Sequence, residues 1–244
     1  MSSLSSSKQS FLTGARDTTP LIIAAAPFGL VYGALAINQG LSEALVMAMS
    51  VFVFAGASQF VTIALLASAT AFPVILATVF IVNLRHMLYA ASLMPQLAKV
   101  STWLRIPMAF WLTDETFAAV SNRISKVKDD KHFTAYYLGS AIFMYSSWVF
   151  FSWLGMTLGQ KIPDIKSWGL DVAMVIAFVT IVVPLLRNYA DWACALTAGV
   201  SAILTYHWPH QTGLLFSSFI AIAVGVALGY KQKEANTKEV TKNV

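Results

Sequence analysis

Charge is scarce in this chain. Asp, Glu, Lys and Arg make up 11% of its 244 residues, where a soluble domain carries about 25%, so a water-solvated surface over most of the fold is excluded. Cysteine is scarcer still. Cys194 stands alone, which rules out an intrachain disulfide, and its apolar surroundings read as ordinary packing. No Gly-rich, Lys-containing loop of the phosphate-cradling kind occurs, so nucleotide hydrolysis is not expected as an energy source. No His-Glu metal motif appears, and no Ser or Cys sits in a recognisable nucleophile setting. The chain is therefore not expected to be an enzyme, and neither a metal nor a cofactor is implied. Residues 1–17 lack an apolar core between Lys8 and Arg16; they read as a short solvated tail and not as a cleaved signal peptide.

What is abundant is apolar sequence. Hydrophobic residues reach 57% and the mean hydropathy is +0.68, which predicts an all-α, polytopic membrane protein. Stretches of about 20 apolar residues fall near Thr18–Ile37, Glu43–Leu66, Ala71–Met94, Trp103–Val120, Phe133–Leu158, Leu170–Leu186, Ala190–Tyr206 and Thr212–Tyr230. That gives eight spans, or seven if the sixth and seventh form one bent unit.

Lys and Arg are retained on the cytoplasmic side of a membrane. With the N-terminus inside, Lys8, Arg16, Arg123, Lys126, Lys128, Lys131, Arg187, Lys231, Lys233, Lys238 and Lys242 are cytoplasmic, against Lys99, Arg105, Lys161 and Lys166 outside. This bias favours eight spans with both termini cytoplasmic. It also accounts for the net charge of +5 without nucleic acid. The predicted organisation is a polar tail (1–17), an N-terminal transmembrane half (18–121), a charged cytoplasmic loop (122–132), a C-terminal transmembrane half (133–230) and a basic tail (231–244). No residue-level repeat joins the two halves.

Four short motifs in the first half carry polarity into these apolar stretches. The run Ala26-Pro27-Phe28-Gly29 places a proline in mid-span, where it removes a backbone hydrogen bond; a break here would aim a helix terminus and free carbonyls at a ligand. In Ala55-Gly56-Ala57-Ser58-Gln59-Phe60, Gly56 and Ser58 leave room for a neighbour or a substrate, and Gln59 brings donors and acceptors to mid-membrane. In Asn83-Leu84-Arg85-His86-Met87-Leu88-Tyr89, helical spacing puts Asn83 and His86 on one face and Arg85 and Tyr89 on another. Arg85 keeps its charge and needs a carboxylate near it, from a substrate or from Asp114 or Glu115. His86 titrates nearest neutrality and is the natural proton carrier. In Leu112-Thr113-Asp114-Glu115, adjacent acids can divide their roles, one paired with Arg85 and the other carrying a proton. An ionised side chain at the bilayer centre costs about 2.5–3.5 kcal/mol, so each of these groups needs a partner, a wet cavity or a task. A structural ion pair bolting spans together is the competing explanation.

In this order and spacing the four motifs resemble the AzlC-type branched-chain amino-acid exporters. The resemblance implies the large subunit of a bacterial inner-membrane permease. Such a permease works with a small, hydrophobic AzlD-type partner to export leucine, isoleucine and valine, often methionine as well. A zwitterionic substrate fits the residues: Arg85 or the break at Pro27 for its carboxylate, Asp114 or Glu115 for its ammonium, and Gln59 and Asn83 to shape the site. Phe28, Phe60 and Phe117 are candidates for the side-chain pocket. Proton antiport through His86, Asp114 and Glu115 is the expected coupling. The competing classes are a carrier of another small amino or organic acid, a channel and an intramembrane hydrolase.

Overall fold

The computed structural model describes residues 6–127, 130–161, 188–208 and 212–242, with Val179, Val183 and Leu186 besides. Among the described residues nine α-helices and no strand occur. The chain divides into two units, Met1–Ile63 with Val82–Ala173, and Ala64–Ile81 with Met174–Val244.

The first unit is built on α1 (Ser7–Asn38) and α7 (Phe133–Lys161). Ser6 caps α1, its side chain accepting from the Gln9 amide, and this start lies eleven residues ahead of the predicted span. Residues 7–17 are therefore helical and not a loose tail, and Ser10 and Gly14 are buried. The buried positions Ser10, Gly14, Thr18, Ile22, Ala25 and Gly29 recur every three to four residues, the period of one helix face, and residues 32–36 are buried on every side. That stripe is rich in small side chains, which lets two backbones approach closely. A Cβ on Gly33 would stand 2.1 Å from the Ser152 carbonyl oxygen, and one on Gly155 would stand 2.1 Å from that of Leu30.

The contacts of α1 with α7 climb both helices together: Gly14 meets Tyr136, Gly29 meets Phe151 and Gly33 meets Ser152. The two helices thus run parallel, and their first turns share an end. There Ser7 Oγ lies 3.0 Å from His132 Nδ1, and the Tyr136 hydroxyl donates to Asp17 Oδ2 at 2.9 Å.

The expected break at Pro27 does not form. α1 passes unbroken through both Pro20 and Pro27, which lie seven residues apart on its exposed face. The opposite face is held by α7 along its length, and this packing carries the helix through two missing hydrogen bonds.

The breaks fall elsewhere. The second predicted span is α2 (Glu43–Ala48), a π-helical turn (Met49–Val53) and α3 (Gly56–Ala67). They are separated at Phe54, whose φ of 43° and ψ of 44° lie in the left-handed region that ends helices. The fourth predicted span is likewise two helices, α5 (Thr102–Phe110) and α6 (Asp114–Lys126). Because α6 continues to Lys126, the predicted loop at 122–132 begins only at Val127. The third and fifth spans are intact as α4 (Phe72–Leu97) and α7.

The second unit contains α8 (Tyr189–Leu204) and α9 (Thr212–Lys242). A reciprocal capping box of Asn188 and Asp191 starts α8. The two run antiparallel, since Gly213 meets Thr205 while Gly225 meets Cys194. The helix α9 carries residues 231–242 as well, so the predicted basic tail is helical to Lys242. The sixth predicted span, 170–186, lies outside the described residues apart from Val179, Val183 and Leu186. Among the described residues, Ser7–Asn38, Phe72–Leu97 and Phe133–Gln160 are long and apolar enough to cross a membrane.

Candidate functional site

The break between α5 and α6 creates a helix start inside an apolar stretch. Thr113, in extended conformation, caps α6 by accepting from the Thr116 amide. Asp114 and Glu115 then occupy the first turn, where the positive end of the helix dipole favours negative charge. Both acids of the sequence motif thus stand where the backbone itself supplies positive potential.

Across from them, α4 presents Arg85 and Tyr89 four residues apart, on one face as their spacing predicts. They clamp a single carboxylate. Arg85 Nη1 lies 2.8 Å from Asp114 Oδ2, and the Tyr89 hydroxyl donates to Asp114 Oδ1 at 2.6 Å. The Arg85 and Asp114 side chains are 21% and 33% exposed, so the pair is neither sealed in protein nor fully open. Arg85 Nε is buried and finds no hydrogen-bond partner among the described residues. Glu115 is half-buried with its carboxylate beside the Thr113 hydroxyl. The Tyr89 ring stacks on Phe117 at 4.5 Å and 14°, and His86 meets its edge at 6.0 Å and 89°.

His86 and Asn83 share the other expected face of α4. His86 Nδ1 lies 3.2 Å from the Asn83 carbonyl oxygen, and the Ser58 hydroxyl donates to Asn83 Oδ1 at 2.7 Å. A chain of contacts therefore runs from α3 through Ser58 and Asn83 to His86, Tyr89, Asp114 and Arg85.

The remaining candidates are committed to packing. Gln59 is fully buried; its amide nitrogen donates to Ser50 Oγ at 3.2 Å and its amide oxygen accepts from Trp148 Nε1 at 3.0 Å. Gly56 gives way to the Trp148 ring, with 2.8 Å from a Cβ to the nearest ring carbon, and Gly29 gives way to Phe151. Pro27 is exposed on the face of α1 away from α7. Phe28 packs on the cluster of Ile22, Ala25, Phe54, Met144 and Trp148, and Phe60 meets the edge of Tyr32. Of the three aromatic residues considered for the substrate side chain, Phe117 is the one in contact with the ion-pair cluster.

Sequence reasoning pairs Tyr89 with Arg85 by their four-residue spacing but assigns it no role, and it does not single out Trp111. The spacing is the signal for Tyr89. Trp111 carried none: it sits at the α5–α6 break, and its indole N–H is buried with no partner among the described residues.

Comparison with known proteins follows the same stretch of chain. Residues 20–162, which hold every residue of this cluster, match the AzlC protein family. The chain is 28% identical to the inner membrane protein YgaZ of Escherichia coli over 230 residues, covering 90% of the chain and 87% of that protein. It is 31% identical to an uncharacterised membrane protein of Archaeoglobus fulgidus over 222 residues, covering 88% and 92%. It is also 28% identical to one of Helicobacter pylori over 176 residues, covering 70% and 75%. No solved structure matches the chain.

Proposed function

This chain is a membrane protein of the AzlC family, and from that premise we propose that it is a secondary transporter exporting leucine, isoleucine and valine, with methionine, across a bacterial inner membrane. The observation that carries this reading is the Arg85–Asp114 pair at the start of a broken helix, with Arg85 Nε left without a partner. A free amino acid is itself a pair of opposite charges. Its carboxylate replaces Asp114 on Arg85, where the guanidinium offers a two-pronged match, and its ammonium takes Asp114 Oδ2 in place of Arg85. The empty site thus keeps its charges satisfied, and the substrate enters by exchange. Phe117 and the Tyr89 ring supply apolar surface for a branched side chain.

Export against a gradient requires coupling. In this reading His86 and Glu115, next to the ion pair in sequence and half-buried, carry the proton in antiport. The chain performs no covalent chemistry and works as the large subunit beside a small, hydrophobic AzlD-type partner. The parallel course of α1 and α7 requires an odd number of crossings between them, and α4 with α2–α3 and α5–α6 makes three. It thereby supports counting α2–α3 and α5–α6 as one discontinuous span each, within eight spans that leave both termini cytoplasmic. Discontinuous helices that place their termini at the substrate are a recurrent device of secondary transporters.

The test is counterflow of labelled leucine in liposomes carrying the chain alone or with the small partner, followed by an imposed pH gradient. Saturable counterflow of branched-chain amino acids that responds to the gradient is the expected result. No counterflow with or without the partner would overturn the transport reading; flux that does not saturate would indicate a channel.

A further inference from the structure

We infer that Tyr89 is a positioning residue that makes the site select an α-ammonium group, a role that rests on the transport reading above. Both oxygens of Asp114 are engaged, and by different kinds of donor. Arg85 holds Oδ2 at 2.8 Å, and the Tyr89 hydroxyl holds Oδ1 at 2.6 Å, the length of a charge-assisted O–H···O bond.

The two partners differ in what substrate does to them. A substrate carboxylate competes for Arg85 and draws it away from Oδ2. It does not compete for the Tyr89 hydroxyl, which is a neutral donor already spent on Oδ1. Asp114 therefore stays fixed by one oxygen while the other is uncovered, aimed at the point the guanidinium has left. An oxygen that cannot rotate away and has lost its cation accepts only a donor, and a positively charged one best. A 2-oxo acid brings the same carboxylate to Arg85 but offers no donor to Oδ2, leaving that oxygen unpaired. The amino acid offers its ammonium.

The hydroxyl can act this way because its ring is immobilised. Phe117 lies on α6 one turn beyond Asp114 and stacks on Tyr89 at 4.5 Å, and His86 abuts the ring edge. Tyr89 and Asp114 are thus joined twice, through the hydrogen bond and through the stacked ring of the helix that carries the acid. With the hydroxyl removed, Asp114 turns to follow Arg85 or the substrate, and discrimination falls.

Tyr89→Phe keeps the ring and its stacking and deletes only the hydroxyl. In the leucine counterflow assay it is expected to raise KM about tenfold with the maximal rate within about twofold. The preference for leucine over its 2-oxo analogue as competitor should fall by a similar factor. Infrared difference spectra of protein labelled with 13C-aspartate, with Asp114→Asn identifying the band, should show the Asp114 carboxylate stretch displaced in Tyr89→Phe. An unmoved band overturns the positioning contact. A moved band with unchanged KM and unchanged selectivity overturns its role in recognition, leaving Tyr89 as a tie between α4 and α6. Wild-type protein with no counterflow at all overturns the transport reading and the selectivity role together, and is distinguished from failure of Tyr89 alone by the wild-type arm.

Discussion

Replacing Arg85 and Asp114 singly and together separates a transport site from an ion pair that merely fastens two helices. At a charge separation of about 4 Å and an effective dielectric constant of about 20, the gross attraction is about 4 kcal/mol. Removing one member of a sealed pair costs about 3–5 kcal/mol, while an exposed pair contributes about 0–1 kcal/mol. With side chains 21% and 33% exposed, the Arg85–Asp114 pair falls between these limits. Each of Arg85→Gln and Asp114→Asn should therefore cost about 2 kcal/mol. The double variant leaves no uncompensated charge and pairs two amides across the same gap, so it should recover about half of the summed loss. Thermal unfolding of the detergent-solubilised protein reads this out at about 2–4 °C per kcal/mol for a chain of this size.

Transport should not follow stability. Each single variant loses a charge-assisted contact to the substrate and should fall about 10- to 100-fold in leucine counterflow. The double variant should be as inactive as the singles while unfolding at a higher temperature than their sum predicts. Near-wild-type counterflow by the double variant would show that the pair is a fastening and would refute the exchange of substrate for ion pair.

Other sites give sharper structural tests. Gly33→Ala places a Cβ 2.1 Å from the Ser152 carbonyl oxygen and 2.5 Å from the Met156 nitrogen, so α1 and α7 must separate; little folded protein should be recovered by size exclusion. Gly199→Ala, within α8 and with nothing within 4 Å of the new Cβ, should be neutral or stabilising by up to about 1 kcal/mol. Gln59→Leu leaves Trp148 Nε1 without its acceptor in a fully buried position and should cost about 1–3 kcal/mol, lowering the melting temperature with little change in KM. Arg123→Gln removes the 2.8 Å pair with Asp130 and the guanidinium resting 5.1 Å over the Tyr136 ring. It should cost about 1–2 kcal/mol, read by the same melt.

The polar residues of α4 were legible because helical spacing fixes what shares a face. Asn83 with His86, and Arg85 with Tyr89, needed no tertiary information to be paired. The break before α6 was also written in the chain, as a Thr cap followed by two acids, the ordinary signature of a helix start. Hydropathy obscured it, since Trp103 to Val120 averages to a span whether or not it is continuous. Phe54 is different in kind: a phenylalanine with positive φ has no marker in the sequence, and its conformation is held by packing against Tyr145 at 4.9 Å and against the core it enters. Pro27 misleads for the opposite reason, because α7 overrides a local breaker. Gln59 looked like a ligand because Trp148, its partner 89 residues away, could not be located from the sequence.

The site's location at a helix start has an energetic consequence for how it can work. A carboxylate at the centre of a bilayer costs about 2.5–3.5 kcal/mol, and an ion pair that offset all of this could never release its cation to a substrate. Asp114 does not depend on Arg85 alone. Its position in the first turn of α6 contributes about 0.3–1 kcal/mol from the dipole, and the Tyr89 hydrogen bond to a charged acceptor contributes about 1.5–3 kcal/mol. Together these nearly match the insertion cost, so under the proposed exchange the carboxylate would remain tolerable while Arg85 moves to the substrate. A continuous fourth span would lack the dipole term and would hold Asp114 only as long as Arg85 stayed. It follows that moving the cap, for instance by Thr113→Ala, should weaken leucine counterflow through Asp114, by roughly the 2- to 5-fold that 0.3–1 kcal/mol implies, without touching either charged residue. A Thr113→Ala protein that folds and transports with wild-type KM would show that the helix start plays no part in holding the acid.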